Sequence, residues 1–193
     1  MKRSNEKQLK LALKGLKNGK AAREHGGEGY ETKGTRKTAR PFDPSKHLFV
    51  TMRSADAVGE KSMLHPKRIK IIKNIVFKAA RTQGIIVNKY VCVGNHIHLL
   101  LKTKSGRMMT ARPALRAFMR EVSGLIARVM TGARKGQPMR RKFWDNIAWS
   151  RIVDWGRSLR NTYNYFKKNY GDAFFVLKEH NWFSVGEFVT EPP

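Results

Sequence analysis

Two histidines, His96 and His98, stand two positions apart in the run VCVGNHIHLLLK at residues 91–102, where apolar side chains would pack without cost. On a strand, side chains two residues apart share a face and sit roughly 7 Å apart, at about 3.3 Å of rise per residue. Two neutral imidazoles so placed can converge on one divalent cation, and a third ligand is then needed. The competing reading is a solvated or hydrogen-bonded histidine pair on a half-exposed strand, which requires no metal. Ile97 and Leu99 point the opposite way, so the alternation puts the histidines on one face and aliphatics in the core.

The elements that must position this pair are legible as hydrophobic periods. HLFVTMR at 47–53 is β-branched and aromatic enough for a strand. Pro66 opens a helix with Ile69, Ile72, Val76 and Ala80 on one face, and Gly84 stands where it should end. IIVNKYVCV follows as a strand, and Gly94 and Asn95 join it to HIHLLLK as a tight hairpin. From Arg112 a long helix places Leu115, Phe118, Met119, Val122, Leu125, Ile126 and Val129 on one side and Arg112, Arg116 and Arg120 on the other. FWDNIAWSRIVDW reads as a fourth strand with its approach, and a last helix spans about 155–170. The order strand, helix, strand, strand, helix, strand is the α+β, ferredoxin-like split βαβ arrangement. It predicts a four-stranded antiparallel sheet with helices on one face, the histidines on the open face, and a C-terminal helix carrying tyrosines.

The chain has 193 residues, enough for one domain with tails, and forty Lys and Arg against fourteen Asp and Glu give a net charge of +26. A phosphate polyanion is the matching partner. No run approaches the 18 or so apolar residues of a spanning helix and no signal peptide is evident, so a cytoplasmic protein without membrane contact is expected. The lone Cys92 lies among apolar residues and is assigned no chemistry. Residues 1–42 carry twelve Lys or Arg and four Glu with few core-forming side chains. They predict a basic, disordered arm, with a short helix conceivable around Leu9, Leu13 and Leu16. The domain proper is expected over 43–171. The 172–193 tail, with Phe174, Phe175 and Trp182, should dock on it.

GNHIHLLLK resembles the His-hydrophobic-His motif of the single-tyrosine HUH transposases of insertion sequences, and especially of their REP-associated relatives. FWDNIAWSRIVDWG sits where that family has a Trp- and Arg-containing segment, and YFKKN at 165–169 is similar to its tyrosine followed four residues later by an amide. The resemblance spans about His47 to Gly171. It implies a tyrosine nucleophile, a metal site of His96, His98 and Asn169, and recognition of a DNA hairpin beside a single-stranded cleavage site.

Helical phase selects among the tyrosines. Leu159, Tyr163, Phe166 and Tyr170 form the apolar stripe of the last helix, whereas Tyr165 lies roughly 120° away with Ser158, Thr162 and Asn169. Tyr165 is therefore the expected nucleophile, with Asn169 one turn above it. Mg²⁺ or Mn²⁺ on two imidazoles and an oxygen would leave positions for a phosphate oxygen, although two histidines also suit Zn²⁺. Attack by Tyr165 would give a 5′-phosphotyrosine link and a free 3′-hydroxyl. Because the ester energy is kept, a second 3′-hydroxyl can reverse the step and transfer the strand. Arg112, Arg116, Arg120, Arg134, Lys135, Arg140, Arg141 and Lys142 are expected to grip the DNA backbone and to hold the protein at the nucleoid. If two chains form a homodimer, the Tyr165 helix serves the partner's histidines. Rival readings are an inactive, domesticated hairpin-DNA or RNA binding module of the same fold, a sheet-face RNA or DNA binder with paired aromatics on its central strands, and a basic ribonucleoprotein component.

Overall fold

The computed structural model describes residues 16–17, 20–21, 25–26, 40–134, 136–137, 142–180 and 182. Most of the expected arm, with Leu9 and Leu13, lies outside these residues. Where a helical turn was conceivable, Leu16–Lys17 instead pairs antiparallel with Lys20–Ala21. His25–Gly26 pairs with Ser150 and Arg151 at the sheet's outer edge.

The long elements are β1 (His47–Arg53), α1 (Pro66–Gln83), β2 (Ile85–Cys92), β3 (His96–Thr103), α2 (Met108–Thr131), β4 (Trp149–Val153) and α3 (Arg157–Glu179). The fold is α+β, and these four strands are ordered β4-β1-β3-β2 with every pair antiparallel. β1 and β3, the histidine strand, are thus the central pair.

Each helix forms for identifiable reasons. In α1, Pro66 occupies the first turn, where a missing N–H costs nothing, and the His65 ring accepts the Lys67 N–H at 3.2 Å as N-cap. Ile69, Ile72, Val76, Ala79 and Ala80 make its buried stripe, and Gly84 closes it in the left-handed region at φ 65°. α2 starts four residues before the expected Arg112, because Ala111 is itself fully buried and anchors an extra first turn. The hairpin turn holds Gly94 at φ 84°, and a Cβ there would meet Ser62 Oγ at 3.0 Å. Met63 N–H donates to the Gly94 carbonyl and Ser54 N–H to the Asn95 carbonyl, both at 2.9 Å. Neighbouring loops therefore clamp the turn that introduces His96.

Ile97 and Leu99, fully buried, face the side of the sheet on which α1 and α2 pack, as the alternation requires. The histidine face is not left open. α3 crosses it, packing on β2 and reaching β4. α3 also runs to Glu179 instead of ending near 170, and so passes the expected domain boundary at 171. The buried Ala173 and Leu177 continue its core contact, which outweighs the roughly 1 kcal/mol helix cost of Gly171. Of the expected C-terminal tail, Trp182 lies between the rings of His65 and His180, whereas Phe174 and Phe175 are largely exposed. Cys92 is buried, and burial pushes its thiol up to about 12.

Candidate metal and nucleophile site

His98 is 3% exposed and held on three sides. Its Nδ1 lies 2.9 Å from the hydroxyl of Thr51, its register partner on β1, and its ring stacks on Phe49 at 5.5 Å between centroids. Its Nε2 lies 3.2 Å from the Tyr165 hydroxyl of α3. The His96 ring is 4.6 Å away between centroids, half-buried, with Nδ1 2.6 Å from Asn95 Oδ1. An amide oxygen can only accept, so Nδ1 of His96 carries the proton and Nε2 keeps its lone pair.

Burial, followed by the proximity of His96, lowers the His98 pKa to about 3, against a smaller opposing effect of hydrogen bonding to Asn169. Burial also lowers the pKa of His96; Asn169 and Asp172 oppose that shift and the Arg53 charge adds to it. Both imidazoles are therefore neutral at pH 7, the form that binds metals. A base this weak would take the Tyr165 proton poorly, which suits His98 to ligation more than to general-base work.

α3 brings the remaining groups to this face. Tyr165 is 43% exposed, its ring edge-on to both Phe49 and His98. Asn169 is 4% exposed and donates Nδ2 to the Tyr165 carbonyl at 2.7 Å, leaving its oxygen for the histidine side. His96, His98 and Asn169 could together offer two nitrogens and an oxygen to a divalent cation. Among the described residues no group of three or more His, Cys, Asp and Glu side chains gathers, so a third protein donor would come from another oxygen, such as that of Asn169.

The other tyrosines point elsewhere. Tyr170 donates to the Tyr90 carbonyl on β2 at 2.6 Å, and Tyr163 lies under Lys89. The buried seam of α3 is Thr162, Phe166, Asn169, Ala173 and Leu177, not the expected Leu159, Tyr163, Phe166 and Tyr170, of which only Phe166 is fully buried. The seam is rotated by roughly 50° toward Tyr165 at 100° per residue. The cause is that Thr162 and Asn169, polar and so expected off the seam, find local acceptors: Thr162 bonds to the Ser158 carbonyl and Asn169 to that of Tyr165.

The expected phosphate-binding residues are distributed differently. Arg116 and Arg120 are exposed on α2, on the far side of the sheet from the histidines, with Arg134 beyond the helix end. Arg112 is half-buried, donating to the Arg40 carbonyl at 2.9 Å with its guanidinium over Phe42. Lys142 is exposed, and Lys135, Arg140 and Arg141 lie outside the described residues. The cations on the histidine face include Arg53, opposite His96 in the β1–β3 register, and Arg151, whose Nη2 lies 3.3 Å from Thr162 Oγ1; Lys102 on β3 and Lys89 on β2 share that face. Arg53, Arg151, Thr51 and Asn95 were not among the expected site residues. The strand alternation could have found them: His47, Phe49, Thr51 and Arg53 share one face of β1, and Trp149 and Arg151 that of β4.

Within this chain Tyr165 meets its own His98. No helix among the described residues is long and apolar enough to cross a membrane. No family model and no curated protein matches the sequence. Among solved structures, the chain is similar to a REP-associated tyrosine transposase bound to a REP hairpin, at 13% identity and a TM-score of 0.47, covering 77% of this chain and 76% of that one. It is also similar to a candidate transposase from Deinococcus radiodurans R1, at 14% identity and a TM-score of 0.41, covering 72% of this chain and 97% of that one. At these identities the likenesses transfer no residue's role to this chain.

Proposed function

We propose that the protein nicks single-stranded DNA through Tyr165 and, by reversal of the same step, transfers a strand, as a transposase of the HUH type. The observation that carries this reading is the hydroxyl of the partly exposed Tyr165, 3.2 Å from a nitrogen of His98, whose ring stays neutral and lies beside a second histidine. His96, His98 and Asn169 would hold Mg²⁺ or Mn²⁺, which when bound withdraws charge from a phosphate oxygen. Thr51 and Asn95 fix the two imidazoles so that a lone pair faces the site. Phe49 and the buried face of α3 hold the Tyr165 ring, so its oxygen has little freedom to leave the line of attack. In that attack a bond forms from the tyrosine oxygen to phosphorus and the bond to the 3′-oxygen breaks. The tyrosine gives up its proton and the departing 3′-oxygen takes one, leaving a 5′-phosphotyrosine diester and a 3′-hydroxyl. Attack by another 3′-hydroxyl restores the tyrosine, and the bond count is unchanged, so no nucleotide is consumed.

Arg53 and Arg151 flank the nucleophile on its own face and would neutralise phosphates near the scissile bond. The exposed Arg116, Arg120, Arg134 and Lys142, across the sheet, are suited to a second DNA segment, which we assign to a hairpin beside the cleavage site. The test is incubation with labelled single-stranded oligonucleotides and Mg²⁺ or Mn²⁺. A denaturation-resistant protein–DNA adduct mapping to Tyr165 is expected; its absence from the wild-type protein leaves a binding module in place of a nuclease.

A further inference from the structure

One exposed aromatic lies outside the nucleophile site but on the same face of the sheet. Trp155 is 68% exposed, packs edge-on against His47 at the start of β1 with centroids 5.5 Å apart, and has Lys102 Nζ 6.0 Å from its ring centroid. The register fixes where this is. His47, Phe49 and Thr51 alternate along one face of β1, and His98, Leu100 and Lys102 along the same face of β3. From Thr51 and His98 at the nucleophile, the face therefore runs past Phe49 and Arg151 to His47, Lys102 and Trp155. Four residues of β1 cover about 13 Å. That is at most about four nucleotides at the stacked rise of 3.4 Å per strand, and fewer when extended.

The surroundings favour a polyanion over an apolar partner. Asp154, next to the tryptophan, is already paired with Lys46 at 2.6 Å, so the half-buried Lys102 and the exposed Arg157 are left as the local excess charge. Ser158 and Asn161 share the flank of α3 that carries Tyr165, and Arg151 lies between the two sites, so the route is at least partly polar. A tryptophan with most of its surface in water, held at one edge and flanked by cations, is the arrangement that stacks unpaired bases without selecting their sequence.

We propose that Trp155, with Lys102 beside it, is a stacking platform for an unpaired base of the single-stranded DNA whose scissile phosphate lies at Tyr165. The inference rests on the nuclease reading above and extends it by a subsite a few nucleotides from the cut. Arg151 neutralises a phosphate between the two positions, and Lys102 one beside the stacked base.

The test measures affinity of the full-length Tyr165→Phe protein, which cannot trap DNA covalently, for oligo(dT) with a 2-aminopurine placed at successive positions, at fixed salt and without metal. Trp155→Ala should weaken binding about five- to a hundredfold, while Trp155→Phe should keep most of the affinity. One probe position should be quenched in the parent and released in the alanine variant, a signature that mere loosening of the His47 contact would not produce. Unchanged affinity and quenching in Trp155→Ala, with nicking intact in the otherwise wild-type chain, would overturn the platform alone. Failure of the parent to bind oligo(dT) at all would overturn the nuclease reading with it.

Discussion

Replacing Thr51 by Val tests whether the histidine pair is held for ligation or merely buried. The change keeps the β-branched shape and the β1 packing but removes the oxygen 2.9 Å from His98 Nδ1. His98 is 3% exposed, so that nitrogen would be left without a partner inside the protein. An unsatisfied buried polar group costs about 1–3 kcal/mol, so the folding free energy should fall by that amount. The more telling consequence concerns the tautomer. Where Thr51 accepts from Nδ1–H, the Nε2 lone pair faces Tyr165 and the cation site; without Thr51, the proton has no such preference for Nδ1. Loss of such a supporting partner lowers metal affinity or activity about 10- to 100-fold. Nicking should therefore be titrated with Mn²⁺ in wild type, Thr51→Val and Thr51→Ser, alongside urea unfolding. The half-saturating metal concentration is expected to rise in the valine variant and to recover with serine, with the rate at saturating metal close to wild type. Destabilisation with an unmoved metal titration would refute the reasoning, because it would make Thr51 a packing residue only.

The tyrosines supply a second prediction: Tyr165→Phe should abolish the covalent adduct, whereas Tyr163→Phe and Tyr170→Phe should retain it. Tyr170→Phe, which loses its bond to the Tyr90 carbonyl, should be about 0.5–1.5 kcal/mol less stable in urea unfolding. Stability should also depend on pH through His98. Its folded pKa of about 3 lies below the ordinary 6.5, so the unfolded chain binds more protons between those values; the stabilisation is full above about 6.5 and is lost as pH falls toward 3. His98→Phe should flatten that slope, whose limit is about 1.4 kcal/mol per pH unit for one group, and an unchanged slope would assign it to other residues. DNA affinity should fall on the order of a hundredfold or more between 50 and 200 mM salt if about five phosphates are neutralised, and Arg116→Ala should reduce the logarithmic slope by about one.

The periodic elements were readable because burial and period coincide in them: α1, the hairpin and both central strands carry aliphatics at the spacing their geometry demands. The histidine pair was readable for the same reason, since alternation alone separates His96 and His98 from Ile97 and Leu99. What escaped depends on contacts distant in sequence. Thr51 looks like any β-branched strand residue until the register sets it opposite His98, 47 positions away. The α3 seam was misphased because Thr162 and Asn169 are polar and buried, which a hydrophobic period cannot signal. Helix α3 passes 170 because Ala173 and Leu177 still meet the core beyond Gly171. Charge alone linked the α2 arginines to the histidines, although α2 and the pair belong on opposite faces by the same alternation.

The bond from Asn169 Nδ2 to the Tyr165 carbonyl ties the proposed third donor to the backbone of the proposed nucleophile. The histidines belong to a clamped hairpin, whereas Tyr165 and Asn169 both stand on α3. On the function proposed above, lifting α3 would withdraw the nucleophile and the third donor together from the histidines. On that reading activity depends on how α3 docks, and a change along its seam, even at the buried Leu177 three turns away, would silence the chemistry while the sheet stays folded.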